Sequence, residues 1–122
     1  GLYHRRTTSG IFGLPCGSPG ADGTGDIGFT VPDENLPKDG QDNYPAGTVA
    51  MANRGADTAS SQFFLVYKDT TLPAGYSTVG KITDGLDVVK YVAAAGVEPG
   101  SSDASDGPPA QPIVITTATI EN

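Results

Sequence analysis

The sequence predicts a mainly β domain, a barrel or sandwich, with a single helix at about residues 86–95. Three observations carry this. Short runs rich in β-branched and aromatic residues recur between clusters of Gly, Pro, Asn and Asp. Only Leu86 to Ala95, "LDVVKYVAAA", shows the 3.6-residue apolar period of a helix over a useful length. The 122 residues include 17 glycines and 10 prolines, with 37% hydrophobic and 17% charged, which suits one loop-rich domain better than a helical bundle.

Leu2 to Arg6 reads as a short strand, and Ile11 to Cys16 as another. Pro15 has no N–H for a ladder, so an edge or a bulge is expected there. Gly17 to Gly47 is dense in Gly, Pro, Asp and Asn and reads as a long structured loop, of a length that is usually functional or disordered. Thr48 to Asn53, "TVAMAN", and Gln62 to Tyr67, "QFFLVY", are the next strands, separated by the turn-rich "RGADTASS". Period-two alternation puts Gln62, Phe64 and Val66 on one face of the latter and Phe63, Leu65 and Tyr67 on the other. Thr78 to Ile82 is a further short strand. In the helix, Leu86, Val89 and Ala93 form the apolar face, Asp84 is the expected N-cap, and Gly96 supplies a left-handed stop. After the exposed loop "GSSDASDGPP", Ile113 to Ile120, "IVITTATI", reads as a closing strand.

Fourteen acidic residues against seven basic give a formal charge of −7, which repels a nucleic-acid backbone or an anionic membrane surface. Neither is an expected partner. Cys16 is the only cysteine, so an internal disulfide and a multi-thiolate metal site are excluded, and it reads as a small core residue. No stretch approaches the roughly 18 apolar residues that cross a bilayer, and no basic-then-apolar leader opens the chain. The expected location is the cytoplasm, with a membrane anchor upstream left open. An upstream portion is expected because the chain opens on Gly1, and "LYHRR" reads as the middle of a strand.

"YHR" at Tyr3–Arg5, "GIF" at Gly10–Phe12, "DGTG" at Asp22–Gly25, "GTVAMAN" at Gly47–Asn53, "SSQFFLVY" at Ser60–Tyr67 and "VGKITDGLDVVKYV" at Val79–Val92 occur in that order. Together they resemble the cyclophilin family of peptidyl-prolyl cis-trans isomerases, and its actinobacterial members in particular. The resemblance runs from Leu2 to Val97. It implies an antiparallel β-barrel, with residues 1–122 forming the C-terminal part of a cyclophilin-like isomerase domain. The hairpin and helix that open family domains are absent before the "HR" strand, so the barrel is expected to be incomplete at the N-terminus.

The resemblance also implies a site. Arg5 matches the family's catalytic arginine. Gln62 matches the glutamine that binds substrate backbone, and Phe64 the phenylalanine that floors the proline pocket. Phe12, Leu72 and Tyr76 fall where the family has further pocket residues, and Ala52 and Asn53 match the pair that contacts substrate backbone. The implied activity is rotation about Xaa-Pro peptide bonds in peptides and unfolded proteins, with neither cofactor nor metal. Several positions depart from the pattern. Pro15 stands where the family has glutamine, Ser18 where aspartate is usual, Asp26 in place of a glycine, and Gly13 in place of a larger apolar residue. Thr71 replaces a tryptophan of some members, so only weak binding of cyclosporin is expected.

Simpler readings stand beside these. Phe12, Phe63, Phe64 and Leu72 also suit a core. His4, the sole histidine, reads as structural. Arg6 should point away from Arg5 into solvent. Gly23–Gly25 is a turn, since no Lys-Ser/Thr of a phosphate loop follows, and Asp33–Glu34 suits loop capping rather than a metal site. Two functions therefore remain: an isomerase that assists protein folding, and a proline-peptide binding module or folding chaperone with weak or no turnover.

Overall fold

The computed structural model describes residues 12–19, 27–97, 99 and 109–121, together with the backbone of 6–7 and 106–107. In chain order the elements are β1 (Arg6–Thr7), β2 (Gly13–Cys16), β3 (Thr48–Met51), β4 (Phe63–Val66), β5 (Thr78–Lys81), α1 (Leu86–Ala94) and β6 (Asp106–Gly107). The strands form one sheet in the order β5-β3-β4-β2-β1-β6, with every pairing antiparallel. Mainly β structure with one helix is what the sequence predicts. Among the described residues the sheet stays open, with β5 and β6 as its edges.

The strand β4 is central, and its register organises the rest. Leu65 lies opposite Leu14 on one side and Val49 on the other, and Phe64 lies opposite Pro15 and Ala50. Residues directly opposite share a face, so two apolar layers arise from one run of four residues. Leu65 joins Leu14, Tyr67 and the helix residues Val89, Val92 and Ala93, with Phe12, Ile82 and Ile113 packed against them. Phe64 and Val66 join Tyr44 and Ala50 on the opposite face, with Ala52, Leu72 and Tyr76 alongside. A strand covered on both faces needs apolar residues at consecutive positions, which is why "FFLV" does not alternate with polar residues.

Pro15 sits in an interior strand, not at a bulge of an edge strand. The Tyr67 N–H donates to the Phe12 carbonyl at 2.9 Å. Alternation along an antiparallel pair then makes Leu14–Leu65 and Cys16–Phe63 hydrogen-bonded pairs and Pro15–Phe64 a non-bonded one. The nitrogen of Pro15 therefore faces away from β4, on the side where the described pairing with β1 reaches only Gly13. Its missing N–H interrupts no bond to β4.

Two other expectations change. The helix N-cap is Gly85, at φ 88° with no side-chain cap, and not Asp84. The Gly85 carbonyl accepts from the Val88 and Val89 amides, so Asp84 lies one residue too early to reach the first-turn N–H groups. The helix stops at Ala94 with Gly96 at φ 82°, the left-handed end expected, and its buried face is Val89, Val92 and Ala93. Among the described residues, 113–120 form no named strand and only a single bridge position at Val114. Ile120 is 93% exposed and Val114 54%, while Ile113 packs against the core. β-Branched composition reflects a fit to a packed pleated surface, and no named strand receives this segment. The Leu2–Arg6 strand lies largely outside the described residues, as do His4, Gly23–Gly25, Asp26 and the side chain of Arg6. No helix among the described residues is long and apolar enough to cross a membrane.

The described part of the long loop is tied to the sheet rather than loose. Val31 bridges to Ala59, and Tyr44 bridges to Thr70. The Asp33 and Glu34 amides donate to Asp57 Oδ1 at 2.8 Å and to Ser77 Oγ at 2.9 Å, so the acidic pair is capped by other side chains rather than capping a loop with its own carboxylates. At Gly17, φ is 93° and a Cβ would strike the Ser61 carbonyl, so only glycine lets β2 end this close to the Ser61–Gln62 entry to β4. The Ser61 hydroxyl closes the contact by donating to the Gly17 carbonyl at 2.6 Å.

Candidate functional site

The Phe64 face of the sheet gathers four of the eight residues that the sequence singles out, Ala52, Phe64, Leu72 and Tyr76, with Gln62 adjoining through its backbone bond to Ala52 and Asn53 through its side-chain bond to Gly75. Phe64 is held between small neighbours: Ala50 lies directly opposite, and a Cβ at Gly13 would stand 3.4 Å from the Phe64 ring. Tyr76 meets it edge to face, with ring centroids 5.7 Å apart at 85°. Tyr44 packs beneath both, 6.5 Å from Phe64 and 6.1 Å from Tyr76. Edge-to-face geometry places the positive ring edge on a neighbour's negative face, which holds such a cluster in one arrangement. Leu72 and Ala52 border it, both partly buried.

Polar groups surround this apolar patch. The Gln62 carbonyl accepts from the Ala52 N–H at 2.9 Å, which joins the two backbone-contacting positions across the end of the β3–β4 pair. The side-chain amide of Gln62 is half-buried and makes no hydrogen bond to the described residues. Asn53 spends its side chain on structure: Nδ2 donates to the Gly75 carbonyl at 2.7 Å and Oδ1 accepts from the Gly55 N–H at 3.2 Å. These bonds fix the turn beside the patch.

Phe12 does not join them. It shares the face of Leu14, lies edge-on to Tyr67 at 5.9 Å and 71°, and carries the Lys68 ammonium 4.6 Å above its ring. Strand alternation explains the split, since Phe12 and Leu14 are two residues apart and face the helix side. Gly13 and Pro15 have the intervening parity, and Pro15 lies opposite Phe64 itself. Arg5 lies outside the described residues.

Two residues of the site carry no sequence motif. Asn43 and Tyr44 come from the Gly- and Asp-rich loop, yet Tyr44 is fully buried and touches Phe64 and Tyr76. Their signal is an aromatic residue in a loop otherwise poor in apolar residues, three positions before Gly47. Burial pushes the Tyr44 phenol above the usual tyrosine range, against a lowering contribution from its hydrogen bond to the Tyr76 backbone. Burial likewise raises the Cys16 thiol, which stays protonated in the core. Both are neutral near pH 7. The patch can grip an apolar ring and offer amide groups at its rim.

The family model for "Cyclophilin type peptidyl-prolyl cis-trans isomerase/CLD" matches residues 7–120. A "Probable peptidyl-prolyl cis-trans isomerase B" of Mycobacterium tuberculosis is 43% identical over 129 aligned residues, covering 97% of this chain and 41% of that protein. Its namesake in Mycobacterium leprae is also 43% identical, over 97% of this chain and 43% of that protein. The peptidyl-prolyl cis-trans isomerase B of Bacillus subtilis is 37% identical over 74% of this chain and 62% of its own length. Among solved structures, a cyclophilin type peptidyl-prolyl cis-trans isomerase of Cryptosporidium parvum shares the fold, with a TM-score of 0.66 at 20% identity, over 96% of this chain and 75% of that one. The chain spans about two fifths of the length of the mycobacterial relatives.

Proposed function

Since the chain belongs to the cyclophilin type peptidyl-prolyl cis-trans isomerase family, we propose that it binds Xaa-Pro segments of peptides and unfolded proteins on the Phe64 face and accelerates rotation about the bond before proline. The observation that carries this is the gathering of Ala52, Leu72 and Tyr76 around Phe64, with Gln62 and Asn53 hydrogen-bonded to the backbone beside them.

The chemistry needs little machinery. Peptide rotation faces a barrier of about 18–20 kcal/mol, because the nitrogen lone pair is delocalised into the carbonyl. Xaa-Pro bonds populate both isomers and exchange in tens to hundreds of seconds without help. No bond forms or breaks, so a catalyst has to hold the ring, hold the carbonyl side, and stabilise the twisted nitrogen. Phe64, with Leu72 and Tyr76, supplies the apolar seat. Gln62 and the backbone at 52–53 supply hydrogen bonds along the peptide. Arg5, by its match to the family motif, supplies the donor to the nitrogen as it becomes pyramidal, and its guanidinium never loses the proton it donates. Only interactions stronger in the twisted state than in the planar one raise the rate.

The test is a cis-to-trans assay of an Xaa-Pro peptide. At micromolar protein, relaxation should quicken at least about tenfold, equivalent to about 1.4 kcal/mol off the barrier. A rate unchanged from buffer contradicts the isomerase reading.

One observation favours a binding module with weak turnover. Pro15 lies opposite Phe64, so its side chain shares the face of the site at a position where the family motif has an amide. Replacing it should therefore help. Pro15→Gln is expected to raise kcat/KM about threefold or more, and the change breaks no bond to β4 because the residue sits at a non-bonded position. An unchanged or lower kcat/KM would show that Pro15 is no impediment. Cyclosporin should bind weakly, with Thr71 at the border of the patch.

A further inference from the structure

The segment Leu72 to Tyr76 provides two of the site residues but contains no strand or helix. Backbone polar groups in such a segment need partners from elsewhere. Here, two adjacent side chains supply them. The Asn43 amide makes a closed pair with Leu72, Nδ2 donating to the Leu72 carbonyl at 2.8 Å and Oδ1 accepting from the Leu72 N–H at 3.0 Å. The Tyr44 hydroxyl does the same for Tyr76, donating to its carbonyl at 2.8 Å and accepting from its N–H at 3.0 Å. Each side chain thus stands in for a neighbouring strand. Tyr44 is itself fixed by two backbone bonds with Thr70, at 3.0 and 2.9 Å, and by full burial.

We propose that Asn43 and Tyr44 are positioning residues for the proline site, holding Leu72 and Tyr76 at a set distance from Phe64 so that the pocket is formed before peptide arrives. The role rests on the reading of the Phe64 face as the peptide site. Tyr44 is placed to do this because its ring packs on Phe64 and Tyr76 while its hydroxyl serves only the Tyr76 backbone. The two functions of the side chain are therefore separable. Tyr44→Phe keeps the ring and its packing and removes both bonds to Tyr76. Without them the wall moves relative to the floor, and the loss falls on the planar and twisted states of the substrate alike. Loss of such uniform binding raises KM and leaves kcat nearly unchanged.

The experiment measures kcat and KM for an Ala-Pro test peptide, and the peptide's Kd by NMR titration, in the parent, Tyr44→Phe, Asn43→Ala and Asn43→Asp. Work is done well below the melting temperature of each variant. Tyr44→Phe is expected to raise KM and Kd about 5- to 20-fold with kcat within about twofold, and to speed amide exchange at Tyr76 at least about tenfold. Asn43→Ala should raise KM similarly, and Asn43→Asp should recover part of the loss, because its carboxylate still accepts from the Leu72 N–H. A lowered melting temperature with KM and Kd unchanged would overturn the proposal, since that is the signature of a purely structural pair. Should the parent bind no peptide, the reading of the Phe64 face fails and the positioning role fails with it. A parent that binds, beside variants that bind as well, overturns the positioning role alone.

Discussion

Arg5→Ala is expected to reduce kcat/KM on an Xaa-Pro peptide at least about 100-fold, a loss of about 2.7 kcal/mol of transition-state stabilisation. In the proposed mechanism Arg5 is the residue whose contribution grows as the bond twists, since the nitrogen lone pair becomes available only when conjugation is broken. Its removal should therefore act on kcat, with peptide affinity on the Phe64 face held within a few fold. Arg5→Lys should also fail, because a compact ammonium cannot reproduce the planar donor fork. Turnover within threefold of the parent in either variant would remove Arg5 from the mechanism.

Phe64→Ala is expected to cost about 3–5 kcal/mol of stability, as truncation of a buried aromatic side chain typically does. That is a large share of the roughly 5–15 kcal/mol that holds a domain together. Phe64 is only 8% exposed and meets Tyr76 edge to face and Tyr44 at a tilt, so the cavity would open in the middle of one apolar layer. Urea denaturation measures it directly. Phe64→Leu separates the two roles of the ring: it should fold, with a smaller stability loss, and bind proline peptide at least about tenfold more weakly. A loss below about 1 kcal/mol in Phe64→Ala would show that the ring is not part of the core, and unchanged peptide affinity in Phe64→Leu would show that it does not seat proline.

Much of this architecture is legible because it is local. The alternation of Gln62, Phe64 and Val66 depends only on the two-residue period of a strand, and the structure places Phe64 and Val66 in one layer and Leu65 in the other. The helix is legible for the same reason, through its apolar period and Gly96. What fails depends on partners distant in sequence. Ile113 to Ile120 has the composition of a strand, but composition cannot say which edge would receive it. Pro15 reads as an edge signal until the register shows its nitrogen turned away from β4. Phe12 differs from Phe64 only by the parity of its strand, which a family motif does not display. Asn43 and Tyr44 are invisible because their work is done on backbone groups 29 and 32 residues away.

Exchange spectroscopy of an Ala-Pro peptide mixed with the protein follows rotation and contact in one sample. Cis–trans exchange cross-peaks are expected at substoichiometric protein, where the free peptide shows none, together with shifts of the amides of Ala52, Asn53, Gln62, Phe64, Leu72 and Tyr76. The absence of exchange at equimolar protein, with those amides unmoved, would contradict isomerisation on the Phe64 face.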